Sequence, residues 1–233
     1  MLAVELQIGA ILHFDPLCRS RLRNWLKNLY TEKCELPGFI AIEWDREIFE
    51  QVKQQRPVLH RMAEEEWPGA PQDFVNAISE AMGFEADTHE EMFPHVKTIW
   101  LDQGRDVPDS SVIMHYARDR LAVYKSYLLT DISIPSTETL EAMSRNSWKR
   151  TEVSGYERTD RDSKFASHIL EAITKNNPAW AIAIVGASHA SDSPGCMRAL
   201  LETKGVLCKV AILKRKINAL IPQRGGTQLT VRE

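Results

Sequence analysis

The 233 residues, 43% hydrophobic and 26% charged, suffice to bury a sizeable core and have the composition of an ordinary globular protein. A net charge of −3, from 29 basic and 32 acidic residues, gives no general attraction to nucleic acid or to an anionic membrane surface, so neither is an expected partner. No run approaches the ~20 apolar residues a membrane helix needs. Cys18, Cys34, Cys196 and Cys208 form no C-x-x-C pair, which reads as reduced thiols in a cytoplasmic protein.

Residues 3–12 read as a strand that turns almost continuously apolar toward its end, as buried parallel strands do. The stretch 2–12 contains Glu5 and Gln7 and has neither a basic leader nor a small-residue cleavage site, so it is not expected to be a signal peptide. Asp15 is the expected N-cap of a helix opened by Pro16, with Leu17, Leu22, Leu26 and Leu29 at roughly helical spacing. Leu36-Pro37-Gly38 breaks it. Phe39-Ile40-Ala41-Ile42 predicts a second buried strand ending in Glu43, and Asp45 caps a further helix expected to stop before Pro57. Strand, helix, strand, helix is the signature of a parallel α/β sheet.

Residues 58–94 read as a helical insertion. It includes an amphipathic helix around Phe74, Ala77, Ile78 and Met82, ended by Gly83, and an acidic, exposed helix with the cluster Asp87, His89, Glu90, Glu91 and His95, which has metal-binding residue types but reads as a solvated face. A third strand, 96–101, ends in Asp102. Helices follow at 109–129, 136–147 and 160–175, the last with Phe165, Ile169 and Ile173 on one face. The run 179–185 is the strongest buried-strand signal and leads into Gly186-Ala187-Ser188-His189. A helix near 193–203 and a strand at 206–212 complete the pattern. The expected architecture is α/β, a mostly parallel central sheet flanked by helices. It forms one domain over 1–212, with a basic tail or hairpin over 213–233.

Every predicted strand but the last is followed by polar residues with catalytic or metal-binding chemistry. Strand one leads to His13, strand two to Glu43, strand three to Asp102 with Arg105 close behind, and strand four to His189. Ligands of open parallel sheets bind outside the carboxyl ends of the strands, so these groups are expected to converge. Two imidazoles and one or two carboxylates suit a divalent metal. The same groups activate water without one, with His or Glu as general base. Arg105 and Arg161 are placed to clamp an anionic or carbonyl group, or to pair with the carboxylates. Taken singly, each has a plain structural use: a loop histidine, a paired carboxylate, a turn-forming aspartate, a surface ion pair. Trp44, beside Glu43, is a candidate pocket wall. His115 and Asp119, four apart on a helix, read as a local pair. Cys196, after Pro194-Gly195, reads as a buried inert thiol. G-x-S-x-G and the glycine-rich phosphate loops are absent from the sequence.

Gly9-Ala10-Ile11-Leu12-His13, Phe39–Glu43, Leu101-Asp102 with Arg105, Arg161-Asp162 and Val185-Gly186-Ala187-Ser188-His189 occur in an order similar to the TraB/TIKI superfamily, which includes erythromycin-esterase-like and ChaN-like proteins. That family carries two G-x-x-H motifs and a Glu after the second strand. The second motif is matched by Gly186 and His189; at the first, Ala10 stands three residues before His13 and Gly9 four before. The resemblance spans roughly residues 4–203 through short motifs. It implies an α/β hydrolase, metal-dependent peptidase or esterase in type, with catalytic His13, Glu43, His189 and Arg161. It implies a divalent metal held by His13, Glu43, His189 and Asp102, and a small-molecule or peptide substrate. Two alternatives stay open: a module binding haem or another planar ligand through His13 or His189, and an inactive member acting through protein contacts. A homo-oligomer is compatible with either.

Overall fold

The computed structural model describes residues 4–13, 15–81, 83–104, 109–127, 136–154 and 160–214. Five strands form one parallel sheet: β1 (Glu5–Ile11), β2 (Ile40–Ile42), β3 (Thr98–Trp100), β4 (Trp180–Gly186) and β5 (Leu207–Ile212). Their spatial order is β3-β2-β4-β1-β5. Among the described residues there are eight helices, α1 (Cys18–Lys33), α2 (Arg46–Glu66), α3 (Gln72–Ser79), α4 (Phe84–Met92), α5 (Ser110–Tyr127), α6 (Thr137–Ser154), α7 (Asp160–Asn176) and α8 (Met197–Thr203). The predicted α/β class is therefore the observed one. Of the sequence readings, Met82, Arg105 and Leu128 lie outside the described residues, as does the tail from 215 on.

Both faces of the sheet are covered, which explains why its central strands read as unbroken apolar runs. On one face Leu6, Ile8, Ala10, Ala183 and Val185 pack against Phe165, Ile169 and Ala172 of α7 and Met197 and Leu201 of α8. On the other, Ile11, Ile40, Ile42, Ile182 and Ile184 meet Leu22, Trp25 and Leu26 of α1, Phe49 of α2 and Phe84 of α4. Gly9 belongs to this second contact. A Cβ on it would lie 2.6 Å from the Trp25 ring, so the glycine lets the indole lie flat on the strand. A third apolar cluster joins the helices away from the sheet: Trp67, Phe74, Ile78, Leu121, Tyr124, Leu140 and Met143.

The order of the strands makes a crevice. Adjacent strands β1 and β4 send their next helices to opposite faces, α1 to one and α8 to the other. Such a topological switch point separates the outgoing loops and opens space at the carboxyl edge.

Three local expectations are corrected. The helix expected to stop before Pro57 runs through it to Glu66. An interior proline costs about 3 kcal/mol. Here Phe49 and Val52 before it and Leu59 and Ala63 after it are all buried, so packing on both sides holds the helix together. The helix carrying Asp87, His89, Glu90 and Glu91 is not an exposed one. Phe84 to His89 are buried, and only its later residues reach solvent. Third, Asp15 does not cap α1, whose N-cap position is Leu17 without a side-chain cap.

Asp15 is instead a buried hub. Its Oδ1 accepts from Leu17 N at 2.9 Å. Its Oδ2 accepts from Arg21 Nη1 at 2.8 Å, Ser144 Oγ at 2.9 Å and Trp148 Nε1 at 2.7 Å. A full set of donors makes a buried charge tolerable, and here it ties α1 to α6. Asp15→Ala would strand the buried Arg21 guanidinium and is expected to destabilise the fold by about 3–5 kcal/mol in denaturant titrations. A loss below about 1 kcal/mol would show the hub to be dispensable.

Candidate active site

Glu43 follows β2 directly, on the side of β2 next to β4. Its backbone N–H donates to Ile184 O at 3.1 Å, so the strand pairing itself fixes where the side chain starts. The carboxylate is buried, with 6% of the side chain exposed. Oε1 accepts from Arg161 Nη2 at 3.0 Å and lies 3.1 Å from His189 Nε2. Oε2 accepts the backbone N–H of Gly186 and lies 3.4 Å from His13 Nε2. Three of the residues predicted to act together, His13, His189 and Arg161, thus meet on the fourth, Glu43. Asp102 joins at the next remove: its carboxylate pairs with Arg161 at 2.8 Å (Nη2) and 3.3 Å (Nε).

Each partner is placed by local geometry. His13 stands just past the end of β1, in the turn where Asp15 N bonds back to Leu12 O. Arg161 and Asp162 lie in the first turn of α7, which packs on the sheet beside the carboxyl edge. Gly186 ends β4, and His189 N donates to Gly186 O at 3.0 Å. That tight turn folds His189 back toward the edge and gives the G-x-x-H spacing a physical meaning. The glycine itself has a second role. A Cβ on residue 186 would lie 3.1 Å from Glu43 Oε2 and 3.2 Å from His13 Nε2, so the bare backbone lets the carboxylate and imidazole close upon it. Gly9, by contrast, packs under Trp25 and serves no comparable purpose at His13.

Two further carboxylates complete the cluster. Asp162, fully buried, lies 3.0 Å from His189 Nδ1 and accepts Met197 N at 2.6 Å at the start of α8. Glu85, in the first turn of α4 and also fully buried, lies 2.7 Å from His13 Nδ1 and accepts the Trp44 indole N–H. Sequence reading paired Asp162 with Arg161 in a motif but assigned it no contact. It passed over Glu85 altogether, because Glu85 sits among acidic residues with nothing local to distinguish it. Trp44, a candidate wall, acts as the donor to Glu85. The neighbouring Asp87, His89, Glu90, Glu91 and His95 do not converge. Asp87 pairs with Arg56, Glu91 with Arg19, and His89 Nε2 lies 2.7 Å from Thr98 Oγ1. His115 and Asp119, expected as a local hydrogen-bonded pair, are an exposed pair 3.7 Å apart, beyond hydrogen-bond distance.

The charges sustain one another. Burial opposes ionisation of Glu43, but His13 and His189 outweigh it and hold the carboxyl well below its ordinary range. Partial burial likewise opposes the imidazolium of His13, yet the Glu43 and Glu85 carboxylates hold it well above its usual value. His189, which is buried, is pushed up against that burial to about 9 by Asp162 and Glu43. Arg161 is raised further by Glu43 and Asp102 against its own partial burial. The outcome is a lattice of alternating charge, Glu85–His13–Glu43–His189–Asp162, with Arg161 and Asp102 on its flank. Arg161 also lies over the Phe165 ring at 5.1 Å.

The implied divalent metal does not fit this arrangement. Among the described residues no group of three His, Cys, Asp or Glu side chains is placed to hold one ion. Both Nε2 atoms are turned onto the Glu43 carboxylate, and both Nδ1 atoms onto carboxylates of their own. The same engagement leaves a haem iron no uncommitted nitrogen on either ring. No helix of the described residues is long and apolar enough to cross a membrane.

The shift of His189 makes stability depend on pH. Below the unfolded value of about 6.5, its charge is present in both states and the full contribution is felt. As pH rises toward about 9, the folded protein alone retains the proton and the contribution drains away. Melting temperature is expected to fall over that interval, and less steeply in His189→Gln than in the unmodified protein. Equal slopes in calorimetry would refute the assignment. No protein-family model matches the chain, and neither does any curated protein or solved structure at a significant level.

Proposed function

We propose that this chain is a hydrolase of the TraB/TIKI and erythromycin-esterase type, working through side chains at the carboxyl edge of the sheet on a small-molecule or peptide substrate. One observation carries the reading: His13 together with Arg161 and His189, the latter two 118 and 146 residues from Glu43 in sequence, meet on the single carboxylate of Glu43. Two neighbouring titratable groups whose environments push them in opposite directions supply an acid and a base together.

In this reading His13 Nε2 and Glu43 Oε2, only 3.4 Å apart and so too close to hold a water between them, part on the exposed side of His13 to admit the attacking water. As water attacks the substrate carbonyl, its proton passes to Glu43 Oε2. The imidazolium of His13, with 31% of its side chain exposed, gives its Nε2 proton to the departing alcohol or amine. Transfer from Glu43 back to His13 restores the resting site. Arg161, 36% exposed, uses Nη2 and Nε on Glu43 and Asp102, leaving Nη1 outside both pairs as a donor to the developing oxyanion. His189 and Asp162 hold Glu43 in place.

Esters, lactones and short peptides offered to the purified protein test this. Turnover is expected to fall by about 100-fold or more in His13→Ala and in His189→Gln, which keeps hydrogen-bonding groups beside the buried Glu43 and Asp162, with circular dichroism showing both variants folded. Wild-type rates in both variants, or no turnover of any substrate class by the parent, would sink the proposal. Gly186→Ala probes the glycine separately. The added methyl would push Glu43 and His13 apart by a few tenths of an ångström, so kcat is expected to drop about tenfold with a stability loss of about 1–3 kcal/mol. An unaltered kcat would remove the glycine from the mechanism.

A further inference from the structure

We propose that Glu85 is the positioning carboxylate of His13: by holding Nδ1 it commits Nε2 to proton transfer and fixes the plane of the ring. The inference rests on the hydrolase reading for its kinetic consequence, but not for the pairing itself. Glu85 Oε1 lies 2.7 Å from His13 Nδ1 and takes the Trp44 indole N–H as well. The two contacts approach one oxygen from different elements, the turn after β1 and the end of β2, so the carboxylate is itself held fast.

A purely structural role accounts poorly for this residue. Glu85 is 0% exposed, in a helix whose neighbouring Phe84 and Ala86 belong to an apolar core cluster. Its second oxygen, Oε2, is buried and has no hydrogen-bond partner among the described residues. A buried, half-satisfied carboxylate is a poor way to stabilise a fold, since an apolar side chain of similar volume there is often neutral or better. The charge is held instead where it can act on His13, and it sits in the first turn of α4, where the helix dipole favours an anion. The relation matches that of His189 to Asp162, so each imidazole has a buried carboxylate on Nδ1 and shares Glu43 on Nε2. Only His13 of the two is substantially exposed, at 31% against 5% of the side chain. Orientation of that ring is therefore the one that governs turnover.

The experiment has a kinetic arm and a spectroscopic arm. Glu85→Gln keeps the shape and removes the charge. Its kcat is expected to fall at least about tenfold with KM within about twofold, and Glu85→Asp to recover part of the loss. In proton NMR of the unmodified protein, a hydrogen-bonded imidazole Nδ1 proton is expected far downfield, absent from His13→Gln and lost or moved upfield in Glu85→Gln. If Glu85→Gln does not fold, the unmodified protein and His13→Gln still decide the pairing. No downfield resonance traceable to His13 overturns the proposal. So does a Glu85→Gln enzyme with undiminished kcat in a protein whose turnover needs His13. If the parent hydrolyses nothing yet shows the His13 resonance, the hydrolase reading fails and the Glu85 pairing stands.

Discussion

The ionised carboxylate of Glu43 lies at the end of β2 with almost no access to water, and the rest of the edge is organised around making that tolerable. A charge in such a place is costly unless donors surround it. The donors come from the backbone of β4, the loop after β4, the turn after β1 and the first turn of α7. Because they reach one small group from four directions, the carboxylate works as a joint between strands that do not all touch. β1 and β2 are separated by β4, yet His13 and Glu43 are 3.4 Å apart.

That closeness depends on the strand between them ending in glycine. β4 lies between β2 and β1, so any side chain on residue 186 would stand between Glu43 and His13. Its amide donates to Glu43, its carbonyl accepts His189 N and turns the chain back, and its missing Cβ leaves room for Glu43 and His13 to close upon it. The buried carboxylates Glu85 and Asp162 sit one step outward, each orienting one imidazole. The same few atoms thus hold the elements of this edge together and set the charge states of its ionisable groups.

Much of the sheet was legible because its cause is local. The runs at 39–42 and 179–185 are apolar throughout since those strands are covered on both faces, and the polar residues that follow mark their carboxyl ends. Asp102 was legible for the same reason, as the residue after a strand, whereas Arg161, in the first turn of α7, was singled out by its side-chain chemistry and by the family resemblance. The errors fell where distant packing overruled a local rule. Pro57 signals a helix end, but buried neighbours on both sides carry the helix past it. Asp15 has the identity and position of a cap, but Arg21, Ser144 and Trp148 offered better partners. Glu85 looks like one more residue of an acidic surface segment, and it is wholly buried.

By itself, then, the sequence determined the alternation of strands and helices and which residues would stand at strand ends, because both follow from periodicity and from where apolar runs stop. Only the tertiary structure decided the strand order, and with it that β4 brings Gly186 between Glu43 and His13, and that Glu85 and Asp162 lie behind the two imidazoles. The physical reason is that burial and ion pairing are properties of neighbours in space. A carboxylate reads the same in a sequence whether it faces water or another residue's nitrogen 72 or 146 positions away.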